Sequence, residues 1–124
     1  MSRILIVEDS ETVRDHVRAA LEPHGHTIVE AADGVEGMKV LGGSERIDAV
    51  VLDVNMPRMS GIEMLEQLHR DGIVCPMLVL TSEADPALIE RAKTAGARGW
   101  LLKPIKPKLL ASAVERILKD AQKE

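Results

Sequence analysis

The sequence of 124 residues contains no phenylalanine and no tyrosine, and Trp100 is its single tryptophan. Proteins that bind single-stranded nucleic acids stack the bases on several aromatic side chains, so the composition excludes that class of function. The formal net charge of −4 also argues against a surface for duplex DNA, because such surfaces are strongly basic. We therefore expect no nucleic-acid partner.

Cysteine and long hydrophobic segments are scarce as well. Cys75 is the only cysteine, so an internal disulfide is excluded, which is typical of a protein from a reducing cytosol. The longest unbroken apolar runs hold four residues, whereas a membrane-spanning helix needs roughly 20. The first residues are too few to form a secretory signal. We expect a cytoplasmic protein without a membrane partner.

What the sequence does contain is a regular alternation of short apolar runs and amphipathic helical segments. The apolar runs occupy residues 4–7, 28–29, 49–52, 77–80 and 100–102. Such runs, separated by helices, predict parallel strands joined by crossovers. The second run is mixed and the fifth is short, so both are predicted to lie at the edges of the sheet. The pattern predicts one α/β domain over residues 1–124, a three-layer sandwich of five strands and five helices.

Polar residues lie at the predicted end of four of these strands. They are Glu8, Asp9, Asp53, Thr81 and Lys103. A single polar residue at a strand end often only caps the next helix. Because the carboxyl ends of parallel strands meet at one edge, where such folds bind ligands, the joint pattern predicts a shared polar site.

Three carboxylates in one site repel one another. Two unit charges about 4 Å apart repel by roughly 4 kcal/mol at an effective dielectric constant near 20, so Glu8, Asp9 and Asp53 need a cation, a proton or Lys103 beside them. Oxygen ligands without histidine or cysteine favour Mg²⁺ or Mn²⁺ over zinc. Together with Lys103 and Thr81, such an ion could stabilise a phosphoryl group in transfer. Asp53 is the candidate carboxylate nucleophile.

Four segments in order and spacing resemble the receiver domain of two-component response regulators, most closely the stand-alone CheY type. These segments are residues 4–9, residues 51–57 with Gly61, residues 80–82 and residues 96–104. The resemblance covers the whole chain. It implies the doubly wound, flavodoxin-like (βα)5 fold, with a parallel sheet in the strand order 2-1-3-4-5.

The resemblance also implies a role for each acidic residue. Asp53 would accept a phosphoryl group from a phosphohistidine on a partner histidine kinase. Asp9 and Asp53 would bind Mg²⁺, which Mn²⁺ could replace, through their carboxylates, Asn55 through its backbone carbonyl, and Glu8 through water. The side chains of Asn55 and Glu83 would flank the attacking water and set the rate of self-dephosphorylation.

The remaining residues of the motif would form the switch. Thr81 and Lys103 would contact the phosphoryl oxygens, and the Lys103–Pro104 bond is expected to be cis. On phosphorylation Thr81 would move toward the acceptor, and an aromatic ring would take its place. That ring is Trp100 here, where the family usually has tyrosine or phenylalanine. The alternative interpretation is that Trp100 is an exposed recognition residue on the face of the fourth helix, fifth strand and fifth helix.

The resemblance predicts a binding switch rather than an enzyme that acts on external substrates. The chain ends about where the fifth helix ends, so we expect a monomer without an output domain that binds a separate downstream effector, as in chemotaxis. A phosphorelay intermediate that passes the group to a histidine phosphotransfer protein is the alternative. A haloacid-dehalogenase-type phosphatase needs an aspartate as general acid where this chain has Asn55. A flavodoxin needs aromatic rings around the flavin.

Several reactive residue types lie outside the predicted site. His24 and His26 have a spacing that could bind a metal, but a solvated loop is predicted for both. His16 and His69 are predicted on helix surfaces, and Cys75 is predicted to be a small apolar filler without a base to activate it.

Overall fold

The computed structural model describes residues 2–56, 59–82 and 85–122. In these residues a central parallel sheet is covered by helices on both faces. The strands are β1 (Arg3–Val7), β2 (Thr27–Ala31), β3 (Ala49–Asp53), β4 (Met77–Thr81) and β5 (Gly99–Leu102). The helices are α1 (Glu11–Leu21), α2 (Gly34–Leu41), α3 (Gly61–Arg70), α4 (Pro86–Thr94) and α5 (Pro107–Gln122), with a short 3-10 turn at Glu22–His24.

The strand order is β2-β1-β3-β4-β5, which confirms the doubly wound fold and places the two predicted edge strands at the edges. Alternate residues of each strand face opposite layers. In β1, Leu5 and Val7 belong to the layer shared with α3 and α4, and Ile4 and Ile6 belong to the layer shared with α1 and α5. The central strands are therefore apolar on both faces, as their uninterrupted runs predicted.

Side-chain caps begin the helices α1, α3 and α4. Ser10 accepts a hydrogen bond from the Val13 amide at 3.3 Å, and Asp85 accepts one from the Ala87 amide at 2.9 Å. Ser60 and the third helical residue of α3 form a complete capping box. Because these caps satisfy the first free amides of each helix, they fix the loops that carry the polar residues.

The prediction for His26 was wrong. Its side chain is only 5% exposed, and Nε2 lies 2.9 Å from Oε1 of Glu115. Helix α5 packs against α1 and covers this loop, a long-range contact that the spacing of residues cannot indicate. His16, His24 and His69 are exposed, as predicted.

Among the described helices, none is long and apolar enough to cross a bilayer.

Candidate functional site

Three carboxylates converge at the carboxyl edge of the sheet. Glu8 and Asp9 follow β1, and Asp53 is the last residue of β3. Strands β1 and β3 are neighbours, with Val7 opposite Leu52. As a result, one carboxylate oxygen from each of the three acidic residues lies within 4.8 Å of the others.

Lys103 brings a positive charge to this cluster from the end of β5. Its Nζ lies 2.8 Å from Oδ1 of Asp53 and 3.6 Å from Oε2 of Glu8. The Lys103 amide donates to the carbonyl of Thr81 at 2.7 Å, and the following bond to Pro104 is cis. The lysine is therefore anchored through its backbone to β4 while its side chain reaches across to β3.

The two inner carboxylates are almost completely removed from solvent. Glu8 is 2% exposed and Asp53 is 1% exposed, whereas Asp9 lies at the exposed rim. Among the described residues, the Lys103 ammonium group is the cation that lies beside Glu8 Oε2 and Asp53 Oδ1. One ammonium group against three carboxylates leaves an excess of negative charge.

This donor set fits a small divalent cation. Mg²⁺ prefers oxygen ligands and is commonly held by one or two carboxylates together with water and phosphoryl oxygens. Asp9 is accessible at the rim, and the buried oxygens of Asp53 and Glu8 lie beside it. The cluster therefore offers both the ligands and the negative charge that such an ion requires.

The electrostatics of the site raise two pKa values. Burial, and then the neighbouring charge of Asp53, raise the pKa of Glu8 to about 7. Partial burial opposes the charge of Lys103, but the adjacent carboxylates of Asp53 and Glu8 outweigh it and raise the pKa of the lysine. Near neutral pH the cluster can thus relieve its repulsion with a proton on Glu8, or with a cation.

The other residues predicted for the site lie around this centre. Thr81 is fully buried at the end of β4, opposite Leu102 of β5. Asn55 lies two residues beyond Asp53 with an exposed side chain. Glu83, predicted to tune the rate of hydrolysis, lies outside the described residues, as does Pro57 of the motif.

Trp100 occupies the middle of β5, opposite Val79. Its ring is half-buried and packs against the core layer that includes α4. The indole Nε1 is buried and has no hydrogen-bond partner among the described residues. A small cavity of about 100 Å³ lies between the ring and α4, lined in part by Ile89 and Ala92. The ring is therefore already partly inside the protein rather than fully exposed.

Sequence reasoning missed one residue that contacts the site. Arg14 of α1 donates from Nη1 to the backbone carbonyl of Glu8 at 2.7 Å. Arginine on an amphipathic helix is usually a solvated residue, and a contact with a backbone carbonyl leaves no pattern in the sequence. Only its position one helical turn into α1, close after Glu8 and Asp9, could have drawn attention to it.

Both a family model and curated relatives identify this chain as similar to response regulators. A family model described as the response regulator receiver domain matches residues 4–115. Response regulator MprA of Mycobacterium ulcerans is 38% identical over 122 residues, which cover 98% of this chain and 52% of the relative. MprA of Mycobacterium avium is 37% identical over a similar share. The chain thus spans about half the length of these curated relatives.

Solved structures resemble the fold over nearly the whole chain. The chemotaxis protein CheY4 of Vibrio cholerae has a TM-score of 0.87 at 34% identity, over 94% of this chain and 98% of that chain. A CheY-like receiver domain protein of Methanospirillum hungatei has a TM-score of 0.91 at 28% identity, over 99% and 98%. The chain belongs to the receiver domain family of two-component response regulators and is CheY-like in structure.

Proposed function

We propose that this receiver domain is a phosphorylation-controlled switch in which Asp53 accepts a phosphoryl group from a histidine kinase in a Mg²⁺-dependent reaction. The observation that carries the proposal is the position of Asp53. Its carboxylate is buried, one of its oxygens lies 2.8 Å from the ammonium group of Lys103, and two further carboxylates lie beside it. A candidate acceptor, carboxylates suited to a cation and a positive charge therefore share one edge of the sheet.

The reaction would be an in-line transfer. An oxygen of the Asp53 carboxylate attacks phosphorus, the P–N bond of the phosphohistidine breaks, and its electron pair stays on the imidazole nitrogen. When bound, Mg²⁺ would supply charge neutralisation for the phosphoryl oxygens. The carboxylates of Asp9 and Asp53 and the backbone carbonyl of Asn55 would hold the ion, with Glu8 acting through water.

Lys103 and Thr81 would recognise the transferred group. Lys103 now pairs with Asp53 and Glu8. A phosphoryl group on Asp53 adds strong acceptor oxygens and about −1.5 to −2 charges, so the ammonium group would pair with these oxygens. Thr81 would supply a hydroxyl donor from β4, drawing the start of the β4–α4 loop toward the acceptor.

The output would be a change in the surface formed by α4, β5 and α5. Leu102 and Leu109 are half-exposed on this surface, and a groove of about 460 Å³ lies between β5 and α5 with Trp100 in its wall. We propose that a downstream effector protein reads this face. The similarity to the chemotaxis protein CheY4 supports an effector of the chemotaxis type. The MprA relatives are named only as response regulators, and their names give no such role. We therefore propose the switch without restricting its pathway.

The decisive experiment replaces the acceptor. The protein is incubated with acetyl phosphate and Mg²⁺, and phosphoryl incorporation is measured by intact-protein mass spectrometry. We expect Asp53→Asn to abolish labelling. Asp48→Asn is the matched control, because Asp48 precedes the first residue of β3 and so lies at the opposite end of the strand from Asp53. This variant should be labelled like the unaltered protein. Labelling that persists in Asp53→Asn would show that the acceptor is another residue.

Two alternatives are separated by the fate of the phosphoryl group. Rapid transfer from the labelled protein to a purified histidine phosphotransfer domain would favour a phosphorelay intermediate over an effector-binding switch. We propose that the chain is not a phosphatase for external substrates, because Asn55 replaces the aspartate that a haloacid-dehalogenase-type enzyme uses as general acid. Multiple turnovers on p-nitrophenyl phosphate would contradict this.

A further inference from the structure

An arginine outside the acidic cluster holds the backbone from which two of the carboxylates leave. Arg14 Nη1 donates to the carbonyl oxygen of Glu8 at 2.7 Å, and its Nε donates to Oε1 of Glu30 at 3.1 Å. The Arg14 side chain is only 17% exposed. Because a guanidinium group is planar and presents its donors in a fixed fork, the two bonds together determine where the donor to Glu8 points.

Glu30 in turn is held from two sides. One of its carboxylate oxygens pairs with Arg14, and the other pairs with Arg18 one turn further along α1. Glu30 lies in β2, opposite Ile6 of β1. The acceptor that orients Arg14 is therefore built into the sheet rather than placed on a loop.

The carbonyl that Arg14 contacts belongs to the peptide group joining Glu8 and Asp9. On the other side of Glu8, its amide donates to the carbonyl of Ala31 at 3.0 Å. Strand β2 thus holds the chain before the Glu8 side chain, and Arg14 holds it after. Rotation of the Glu8–Asp9 peptide would change the direction in which the Asp9 side chain leaves the backbone, and hence its distance from Asp53.

We propose that Arg14, oriented by Glu30, is a positioning residue for the divalent-cation site. It fixes the Glu8–Asp9 peptide so that these carboxylates converge on Asp53, without contacting the ion itself. This inference rests on the proposed function, in which the three acidic residues bind Mg²⁺. Groups that orient metal ligands in this way typically account for tenfold or more of the affinity.

The sign of the effect separates positioning from simple charge. Arg14 is a cation near a cation site, so if it acted only through its charge, its removal would strengthen Mg²⁺ binding. If it acts by holding the peptide, its removal weakens binding, because the carboxylates lose their common orientation. These two roles predict opposite changes in the same measurement.

The test measures Mg²⁺ affinity by isothermal titration calorimetry, without any phosphoryl donor. We expect Arg14→Ala to raise the Kd for Mg²⁺ about tenfold. The matched control is Arg18→Ala, which removes the other partner of Glu30 but leaves the contact with Glu8, and it should change the Kd by less than about twofold. Urea unfolding of each variant verifies that the protein titrated is folded.

Arg14→Lys extends the test to a variant that keeps the charge. A lysine cannot donate to Glu8 and Glu30 with fixed geometry. We therefore expect the Kd for Mg²⁺ of Arg14→Lys to lie between those of the unaltered protein and Arg14→Ala. If Arg14→Ala does not fold, this variant decides alone, and an unchanged Kd then overturns the inference.

Three other results would overturn the inference. They are an unchanged or lower Kd in Arg14→Ala, equal losses in Arg14→Ala and Arg18→Ala, and no Mg²⁺ uptake by the unaltered protein. The last result alone would also overturn the proposed function. In the first two the unaltered protein binds Mg²⁺, so the proposed function stands while the role of Arg14 falls.

Discussion

The backbone of Gly61 lies directly against the backbone of Asp53. A Cβ atom at position 61 would stand 2.1 Å from the carbonyl oxygen of Asp53, and the Gly61 amide donates to the carbonyl of Val54 at 3.0 Å. Helix α3 therefore begins in hard contact with the end of β3. Any side chain at this position would have to displace the segment that carries the candidate acceptor.

Gly61→Ala should therefore destabilise the protein, although alanine is the better helix former. Overpacking of this kind costs about 1–3 kcal/mol, and the displaced carbonyl belongs to Asp53 itself. We expect a lower free energy of unfolding in urea and slower labelling by acetyl phosphate. Gly43→Ala is the control, because a Cβ there meets its nearest neighbour at 3.4 Å, an ordinary contact. Equal stability of the two variants would contradict the contact.

Lys103→Ala should separate cation binding from the response to phosphorylation. Lys103 competes with a bound cation for Asp53 and Glu8, so its removal should leave the Kd for Mg²⁺ unchanged or lower it. The variant should fail to convert phosphorylation into the change at the α4, β5 and α5 face, because the ammonium group that recognises the phosphoryl oxygens is gone. Calorimetry with Mg²⁺ and fluorescence with a beryllofluoride mimic measure the two effects.

Lys106→Ala is the matched control for this variant, since Lys106 is exposed three residues further along the chain. It should behave like the unaltered protein in both measurements. If Lys103→Ala instead lost its affinity for Mg²⁺, the lysine would have to organise the cation site rather than oppose the ion.

The raised pKa of Glu8 predicts a dependence of stability on pH in the absence of divalent ions. The carboxyl has a pKa of about 7 in the folded protein and about 4.5 in the unfolded chain. Between these values the folded state keeps a proton that the unfolded state releases, so stability falls as the pH rises from about 4.5 to 7. At 1.36 kcal/mol per pKa unit, the loss is about 3 kcal/mol at most.

Urea unfolding in a chelating buffer across this pH range measures the effect. Glu8→Gln should flatten the slope, because glutamine does not titrate. The exposed Glu11 offers the control variant Glu11→Gln, which should keep the slope of the unaltered protein. If Glu8→Gln kept it too, another titrating group would have to cause the dependence.

The sheet and the convergence of the acidic residues could be predicted because both follow from local patterns. An apolar run of strand length predicts a buried strand, and a polar residue at its carboxyl end lies at the carboxyl edge of any parallel sheet. The sequence alone could thus predict that Asp53 and Lys103, which are fifty residues apart, lie at the same edge of the sheet. The strand order itself came from the family resemblance rather than from periodicity.

Contacts made by the backbone or by packing of distant helices could not be predicted. Arg14 binds a carbonyl oxygen, and every residue has one, so nothing in the sequence distinguishes the partner. His26 is buried because α5 crosses the loop before β2, and its partner Glu115 lies 89 positions away. The family motif includes Gly61, but the sequence does not indicate that its backbone contacts that of Asp53.

Trp100 provides the last prediction, since it is the only tryptophan and the chain has no tyrosine, so the intrinsic fluorescence reports one site. Its Nε1 is buried and has no hydrogen-bond partner in the part of the chain that the structure describes, and β5 lies beside β4, which ends at Thr81. A movement of Thr81 toward Asp53 should change the packing around the indole. We therefore expect the emission to shift on addition of Mg²⁺ with beryllofluoride or acetyl phosphate, and Asp53→Asn to show no shift beyond that caused by Mg²⁺ alone. An emission spectrum that Mg²⁺, beryllofluoride and phosphorylation all leave unchanged would remove Trp100 from the switch, and the coupling of Thr81 to the output face would then have to run through α4.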